Sequence, residues 1–252
     1  MRIARFVTDG NPRYGILDED SAELVVLRSD PLFAGFDTTG ERVALDDVRL
    51  LSPVIPRSKV AGLARSYRVD GGPDPDPVVF LKPNTSVIGP DDPVVLPRWS
   101  QEVWYEAELA VVIGRMGKDV PVERVDEIVF GYTAANDYTA KDQLAPGDPW
   151  ARAKGWDTST PIGPYLAVDL DPDDLAVRAS VDGVRTQDGR TSQLVTGVRE
   201  IVAQVSEIFT LLPGDLVLTG TPAGNGTVEA GQRVEVEVEG IGSFVNPILR
   251  RD

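Results

Sequence analysis

Two carboxylates, Glu106 and Glu108, stand two positions apart in the mostly apolar run Val103-Trp104-Tyr105-Glu106-Ala107-Glu108-Leu109-Ala110-Val111-Val112-Ile113. The run reads as one long strand ending at Gly114. Side chains two apart on a strand share a face, so the pair points the same way. Adjacent carboxylates facing a partly buried region repel unless a proton or a cation lies between them, and a hard divalent ion fills that role with oxygen ligands. A pair on a solvent face needs no ion; Glu235 and Glu237, in the strictly alternating run 234–239, read that way. Asp137, at the end of the small and apolar run 130–136, offers a third carboxylate, or alternatively a helix N-cap for the residues after it.

Two further segments carry chemistry. Trp150-Ala151-Arg152-Ala153-Lys154-Gly155-Trp156 sets two cations between two tryptophans. That is a cationic wall for an anionic substrate, or a surface loop with snorkelling side chains. Leu218-Thr219-Gly220-Thr221-Pro222-Ala223-Gly224-Asn225-Gly226 permits close backbone approach to a ligand, or is a turn joining two strands. It lacks the Gly-Lys-Ser/Thr of a phosphate loop and the spacing of a dinucleotide fingerprint.

Composition narrows the chemistry. The chain of 252 residues has no Cys and no His. Disulfides, thiolate nucleophiles, imidazole bases and Cys or His metal sites are therefore excluded. Acid–base work falls to carboxylates, Lys, Tyr or metal-bound water. Lys and Arg number 25 against 40 Asp and Glu, a net −15, which disfavours non-specific nucleic-acid binding. No stretch approaches the roughly 20 apolar residues of a membrane span. Met1 leads directly into a strand-like pattern with no apolar signal region, so the expected location is cytoplasmic.

The elements that must position these residues are mostly strands. Runs 2–6, 14–17 and 23–27 form a small β-rich N-terminal domain over residues 1–52, and the proline-bearing stretch 52–58 is a linker. Residues 58–252 form the larger domain, with strand-like runs at 59–63, 78–81, 94–96 and 103–113. Residues 121–128 read as a short helix with Pro in its first turn. Val198, Ile201, Val202, Val205, Ile208 and Phe209 recur at helical spacing, with Thr196 available as a cap. Asp182-Gly183 marks a hairpin turn. The Pro- and Gly-rich stretch 70–77 is a surface loop or a lid beside a site. Strands outnumber helices without regular alternation, which gives an α+β, β-dominated fold class.

Taken together the segments resemble the fumarylacetoacetate hydrolase family, from about Lys59 to the C-terminus. The pieces are Phe80-Leu81-Lys82-Pro83, Tyr105-Glu106-Ala107-Glu108-Leu109, Phe130-Gly131-Tyr132-Thr133-Ala134-Ala135-Asn136-Asp137, Lys154-Gly155-Trp156-Asp157-Thr158, Pro213-Gly214-Asp215, Leu218-Thr219-Gly220-Thr221-Pro222-Ala223-Gly224, Gly240-Ile241-Gly242 and Asn246-Pro247, in this order. The resemblance implies a rolled mixed β-sheet domain, a homodimer, and one Mg²⁺, Mn²⁺ or Ca²⁺ held by Glu106, Glu108 and Asp137. It implies that Lys154 contacts the metal-side carboxylates or the substrate and that Thr221 helps hold the substrate. The implied substrates are 2-oxo or 1,3-dicarbonyl acids.

The chain departs from the family where many members carry Asn-Tyr-x-x-His and a following Glu that activate water. Here the segment is Ala64-Arg65-Ser66-Tyr67-Arg68-Val69-Asp70, which has no His and carries Arg68 directly after the Tyr. The family's Ala-Arg-Asp-Leu-Gln stands as Ala140-Lys141-Asp142-Gln143-Leu144. With the metal cup kept and the dyad absent, the leading expectation is an enzyme that enolises a 2-oxo acid, of isomerase, decarboxylase or dehydratase type. Lys154, Tyr67 or Lys141 would relay the proton, and Arg68, Lys141, Gln143 and Thr221 would bind the substrate. Arg68 would take a second carboxylate. The alternatives are a C–C bond hydrolase with another base, such as Asp70 or metal-bound hydroxide, and a non-catalytic metal and metabolite binder.

Overall fold

A computed structural model describes residues 1–68, 72, 74, 76–145 and 147–251. Asp70, the alternative base, lies outside the described residues, as do parts of the 70–77 stretch. The β-dominated expectation holds. The main path of the large sheet runs, edge to edge, through Thr38–Ala44, Glu23–Leu27, Arg13–Asp18, Arg2–Val7, Thr160–Ala167, Val129–Asn136, Ala107–Ile113, Leu216–Leu218, Val60–Ala64 and Val78–Lys82. A second sheet orders Val184–Arg190, Ala176–Val181, Arg233–Val238, Gly242–Arg250 and Val94–Leu96. A small third sheet joins Thr139–Ala140, Val103–Tyr105 and Gly226–Thr227.

The first four strands are a meander, and they do not form a sheet of their own. Arg2 pairs with Ala167 and Ile3 with Leu166, so the N-terminal strands extend the large sheet. Thr38–Ala44, which sequence patterning missed, is mostly exposed and has no apolar alternation to betray it. The main core fills the space between the two larger sheets and the helix Val198–Ile208, with Leu109, Val111, Val177, Val236, Ile201 and Val205 all fully buried. That helix is the amphipathic one expected, but its N-cap is Gly197 with no side-chain cap, not Thr196. Residues 122–127 form a 3₁₀ helix behind Pro121. Val181 pairs with Val184 across Asp182-Gly183, whose φ values of 50° and 81° suit the expected hairpin.

The long strand expected over 103–113 is interrupted. Val103–Tyr105 belongs to the small sheet and Ala107–Ile113 to the large one, with Glu106 at the join. The cause is local. The Glu106 N–H donates to the Asn136 side-chain oxygen at 2.9 Å instead of continuing the backbone ladder. Asp137 N–H then donates back to the Glu106 carbonyl at 2.9 Å. Both strands therefore change sheets at the point where their carboxylates sit.

Candidate active site

Glu108 lies in the fully buried strand Ala107–Ile113 and is paired with Ala135. Glu106 and Asp137 occupy the two neighbouring sheet joins. One carboxylate oxygen from each of the three lies within 4.8 Å of the others. The same-face strand argument does not explain this, because Glu106 is outside the strand; the convergence comes from the joins. The solvent-face alternative does not apply. Glu108 is 1 % exposed, Asp137 0 % and the Glu106 side chain 12 %. Asp137 is followed by the strand Thr139–Ala140, and the 3₁₀ turn Lys141–Gln143 beyond it has Ala140 as its N-cap, so Asp137 is not an N-cap.

Two ammonium groups meet the three carboxylates. Lys154, at the end of the short helix Ala151–Lys154, donates to Glu106 at 2.7 Å and to Asp137 at 2.5 Å. Lys82, on the strand Val78–Lys82, pairs with the other Asp137 oxygen and donates to the Ser159 carbonyl at 2.9 Å. Thr139 Oγ1 donates to Glu106 at 2.9 Å. Among the described residues Glu108 receives only the Gly220 N–H, at 2.7 Å. Burial first, then the Asp137 charge, pushes the Glu108 carboxyl well above the usual carboxylate range. Burial would also raise Asp137, but Lys154 and Lys82 outweigh it and hold its carboxyl low. Burial disfavours charge on Lys154, yet Asp137 and Glu106 more than compensate and raise its pKa. The ammonium stays charged, so Lys154 is a poor base.

The cluster is thus one positive charge short, and the shortfall falls on Glu108. Three converging carboxylates with no soft ligand fit a hard divalent cation.

A cavity of about 460 Å³ opens onto the cluster, lined in part by Arg65, Glu106, Glu108, Lys141, Trp150, Lys154, Thr221 and Asn225. Lys141 also sits over the Trp104 ring at 4.5 Å. Thr221 Oγ1 donates to the Ala107 carbonyl at 2.8 Å and accepts from Gln187 at 2.9 Å. A neighbouring cavity of about 600 Å³ shares Arg65, Thr221 and Asn225 and adds Tyr67 and Arg68. Another, about 180 Å³, beside Tyr14 and Asp30, has no such cluster.

The sequence-derived residues divide accordingly. Glu106, Glu108, Lys141, Lys154 and Thr221 share one cavity, and Asp137 lies directly behind it. Tyr67 and Arg68 do not line it. Tyr67 is buried, and its hydroxyl lacks a hydrogen-bond partner among the described residues. Burial, with the Glu108 charge, raises its pKa. Arg68 is turned to the Ser192 and Val195 carbonyls, at 3.3 and 3.5 Å. Gln143 lines neither cavity. Of the cationic wall, only Lys154 faces the site; Arg152 stacks on Trp99 at 4.7 Å. The glycines of the 218–226 loop make room for the chain itself. A Cβ on Gly220 would lie 1.8 Å from Ser66 Oγ, and one on Gly224 2.2 Å from the Thr186 carbonyl. Sequence reasoning missed Lys82, Thr139 and Arg65. A lysine in the apolar run Val78-Val79-Phe80-Leu81-Lys82 was the available signal for the first.

Among the described residues no helix is long and apolar enough to cross a membrane. Residues 58–249 match the model of the fumarylacetoacetate hydrolase C-terminal domain, and residues 1–53 match an Rv2993c-like N-terminal model. The crystal structure of a 5-carboxymethyl-2-hydroxymuconate delta-isomerase from Mycobacterium smegmatis is 42% identical, with TM-score 0.93 and 100% of each chain covered. A mitochondrial oxaloacetate tautomerase, fahd2, of Xenopus laevis is 32% identical over 99% of this chain and 90% of its own. A fumarylpyruvate hydrolase from Pseudomonas aeruginosa, solved with Mn²⁺ and pyruvate, is 32% identical with TM-score 0.73, over 81% of this chain and 92% of that one. All three are enzymes by name. With the family model matched over residues 58–249 and a 42% identical structure matched along the whole chain, this protein is a member of the fumarylacetoacetate hydrolase family.

Proposed function

We propose that the protein is a divalent-metal-dependent enzyme that enolises a 2-oxo acid, interconverting keto and enol forms. The observation that carries this is the charge-deficient cup of Glu106, Glu108 and Asp137, which opens onto a cavity lined also by Lys141 and Thr221. The tautomerase and isomerase relatives support the same reading.

Glu106, Glu108 and Asp137 would hold the ion, Mg²⁺, Mn²⁺ or Ca²⁺. It supplies a Lewis acid that favours the enolate of a 2-oxo acid. Lys154 holds Glu106 and Asp137 in place by two hydrogen bonds and presents positive charge to an anionic substrate. Thr221 lines the cavity with its hydroxyl fixed between Ala107 and Gln187. Of the three proton carriers the sequence offers, Lys154 is held charged and Tyr67 lies in the adjoining cavity. Lys141, exposed on the lining, carries the proton between the substrate carbon and solvent.

The test is exchange of the C3 protons of oxaloacetate in D₂O, followed by NMR with Mg²⁺ and with EDTA. The expected outcome is metal-dependent exchange well above the Mg²⁺-only rate, lowered in Lys141→Met. Exchange no faster than with Mg²⁺ alone would refute the reading. C–C hydrolysis is the second reading, favoured by the fumarylpyruvate hydrolase relative; rapid cleavage of acylpyruvates would place it first. We further propose a cytoplasmic homodimer, which light scattering at 27.2 kDa, the monomer mass, would contradict.

A further inference from the structure

We infer that Arg65 receives a second, distal carboxylate of the substrate and thereby selects 2-oxo dicarboxylates over 2-oxo monocarboxylates. This rests on the site being one for 2-oxo acids.

Arg65 follows the strand Val60–Ala64, which lies parallel to Leu216–Leu218. The two strands deliver their next residues side by side. Ser66 Oγ donates to the Thr219 carbonyl at 2.6 Å, and the Ser66 carbonyl accepts from Val195 N–H at 2.7 Å. The adjacent Gly220 N–H is the group that holds Glu108. The backbone at Arg65 is therefore pinned to the segment that positions the carboxylate cup.

Arg65 lines both the cavity at the cup and the neighbouring one, so it stands where they meet. Its side chain is exposed and makes no hydrogen bond or ion pair among the described residues. Other arginines of this acidic chain, such as Arg178, Arg190 and Arg199, are occupied by carboxylates. Arg68, the sequence-derived candidate for this role, is occupied by the Ser192 and Val195 carbonyls. Arg65 also has φ of +60°, a left-handed conformation that costs a long side chain energy and that survives only where the surroundings impose it. A guanidinium held this way and unpaired among the described residues, beside a cavity in which Lys154 is bonded to the cup and Lys141 lies over Trp104, presents the planar fork that carboxylates accept bidentately. The first carboxylate and the ketone of the substrate would lie at the cup, and the distal carboxylate would lie at Arg65.

Calorimetry in Mg²⁺ tests this without needing turnover. The ligands are oxaloacetate, 2-oxobutyrate (the same four-carbon chain with a methyl end) and oxalate, which tests the cup alone. Wild type should bind oxaloacetate on the order of 10–100-fold tighter than 2-oxobutyrate, the range expected for a charge-assisted pair. Arg65→Asn, a residue that tolerates the left-handed backbone, should abolish that ratio and leave oxalate binding unchanged. Arg65→Lys should restore part of it. A wild type that does not discriminate, an Asn variant that still does, or loss of the ratio in Arg68→Leu instead would overturn the inference while leaving 2-oxo acid binding intact. Failure of all three ligands to bind would overturn the functional reading and the inference together.

Discussion

Gly220→Ala should be far more damaging than its one added methyl suggests. Gly220 has φ of +94°, in the region open to glycine but strained for any residue with a Cβ. That part costs about 1–2 kcal/mol. The new Cβ would also lie 1.8 Å from Ser66 Oγ and 2.9 Å from the Leu63 carbonyl. Ser66 cannot stay where it is, so its buried 2.6 Å hydrogen bond to the Thr219 carbonyl is lost. An orphaned buried acceptor costs about 1–3 kcal/mol. The sum is a loss of about 2–5 kcal/mol, read from the urea midpoint at constant m-value. Adding Ser66→Ala removes the closest contact, but the backbone strain stays and the Thr219 carbonyl stays without its donor, so the double variant should recover none of this sum. Mg²⁺ affinity should fall as well, because the Gly220 N–H that holds Glu108 at 2.7 Å moves with the loop. A loss below about 0.5 kcal/mol, the range of a neutral surface change, with unchanged Mg²⁺ affinity, would refute the packing argument.

Three other outcomes follow from the same geometry. Glu106→Gln should lower Mg²⁺ affinity at least tenfold by calorimetry while the protein stays folded; unchanged affinity would put the ion elsewhere. Lys82→Met leaves Asp137 buried with one cation fewer and should cost about 3–5 kcal/mol in urea, the usual penalty for breaking a buried pair; a loss under 1 kcal/mol would mean Lys154 suffices alone. Burial pushes the Tyr132 hydroxyl from 10.0 to about 12. Its folded pKa is raised, so its contribution is intact below pH 10 and is lost as pH climbs from about 10 to 12, by at most about 2–3 kcal/mol. Tyr132→Phe should flatten that fall in pH-dependent urea titrations, and an identical slope would argue against it.

Much of the fold was legible because its signals are local. The alternation in the run 234–239 reappears as Arg233–Val238, with its valines buried and its glutamates at the surface side, Glu237 pairing with Arg178 and Arg185. Val198–Ile208 was readable from helical spacing alone, because its apolar stripe is its packing face. What sequence could not supply were events decided by partners far along the chain. The pairing of Arg2 with Ala167 ties the N-terminal meander to a strand more than 160 residues away, and nothing near Arg2 announces it. Thr196 looked like a cap, but the backbone turn at Gly197 begins the helix without it.

At the site, residue types were legible and their geometry was not. Two glutamates two positions apart suggested a shared strand face, whereas they meet because the chain leaves one sheet and enters another between Tyr105 and Ala107. That exchange depends on Asn136, thirty residues on, taking the Glu106 N–H. Lys82 escaped notice for a related reason. A lysine at the end of an apolar edge strand reads as a solvent-side terminus, and only the fold brings Asp137 and the Ser159 carbonyl to meet it. The same logic separates Arg65 from Arg68. In sequence they are equivalent cations three residues apart, but the Ser66 hydrogen bonds fix one at the meeting point of two cavities and the Ser192 and Val195 carbonyls occupy the other. Which of the two arginines is left unpaired among the described residues is thus decided by the hydrogen bonds around it and not by the residue type.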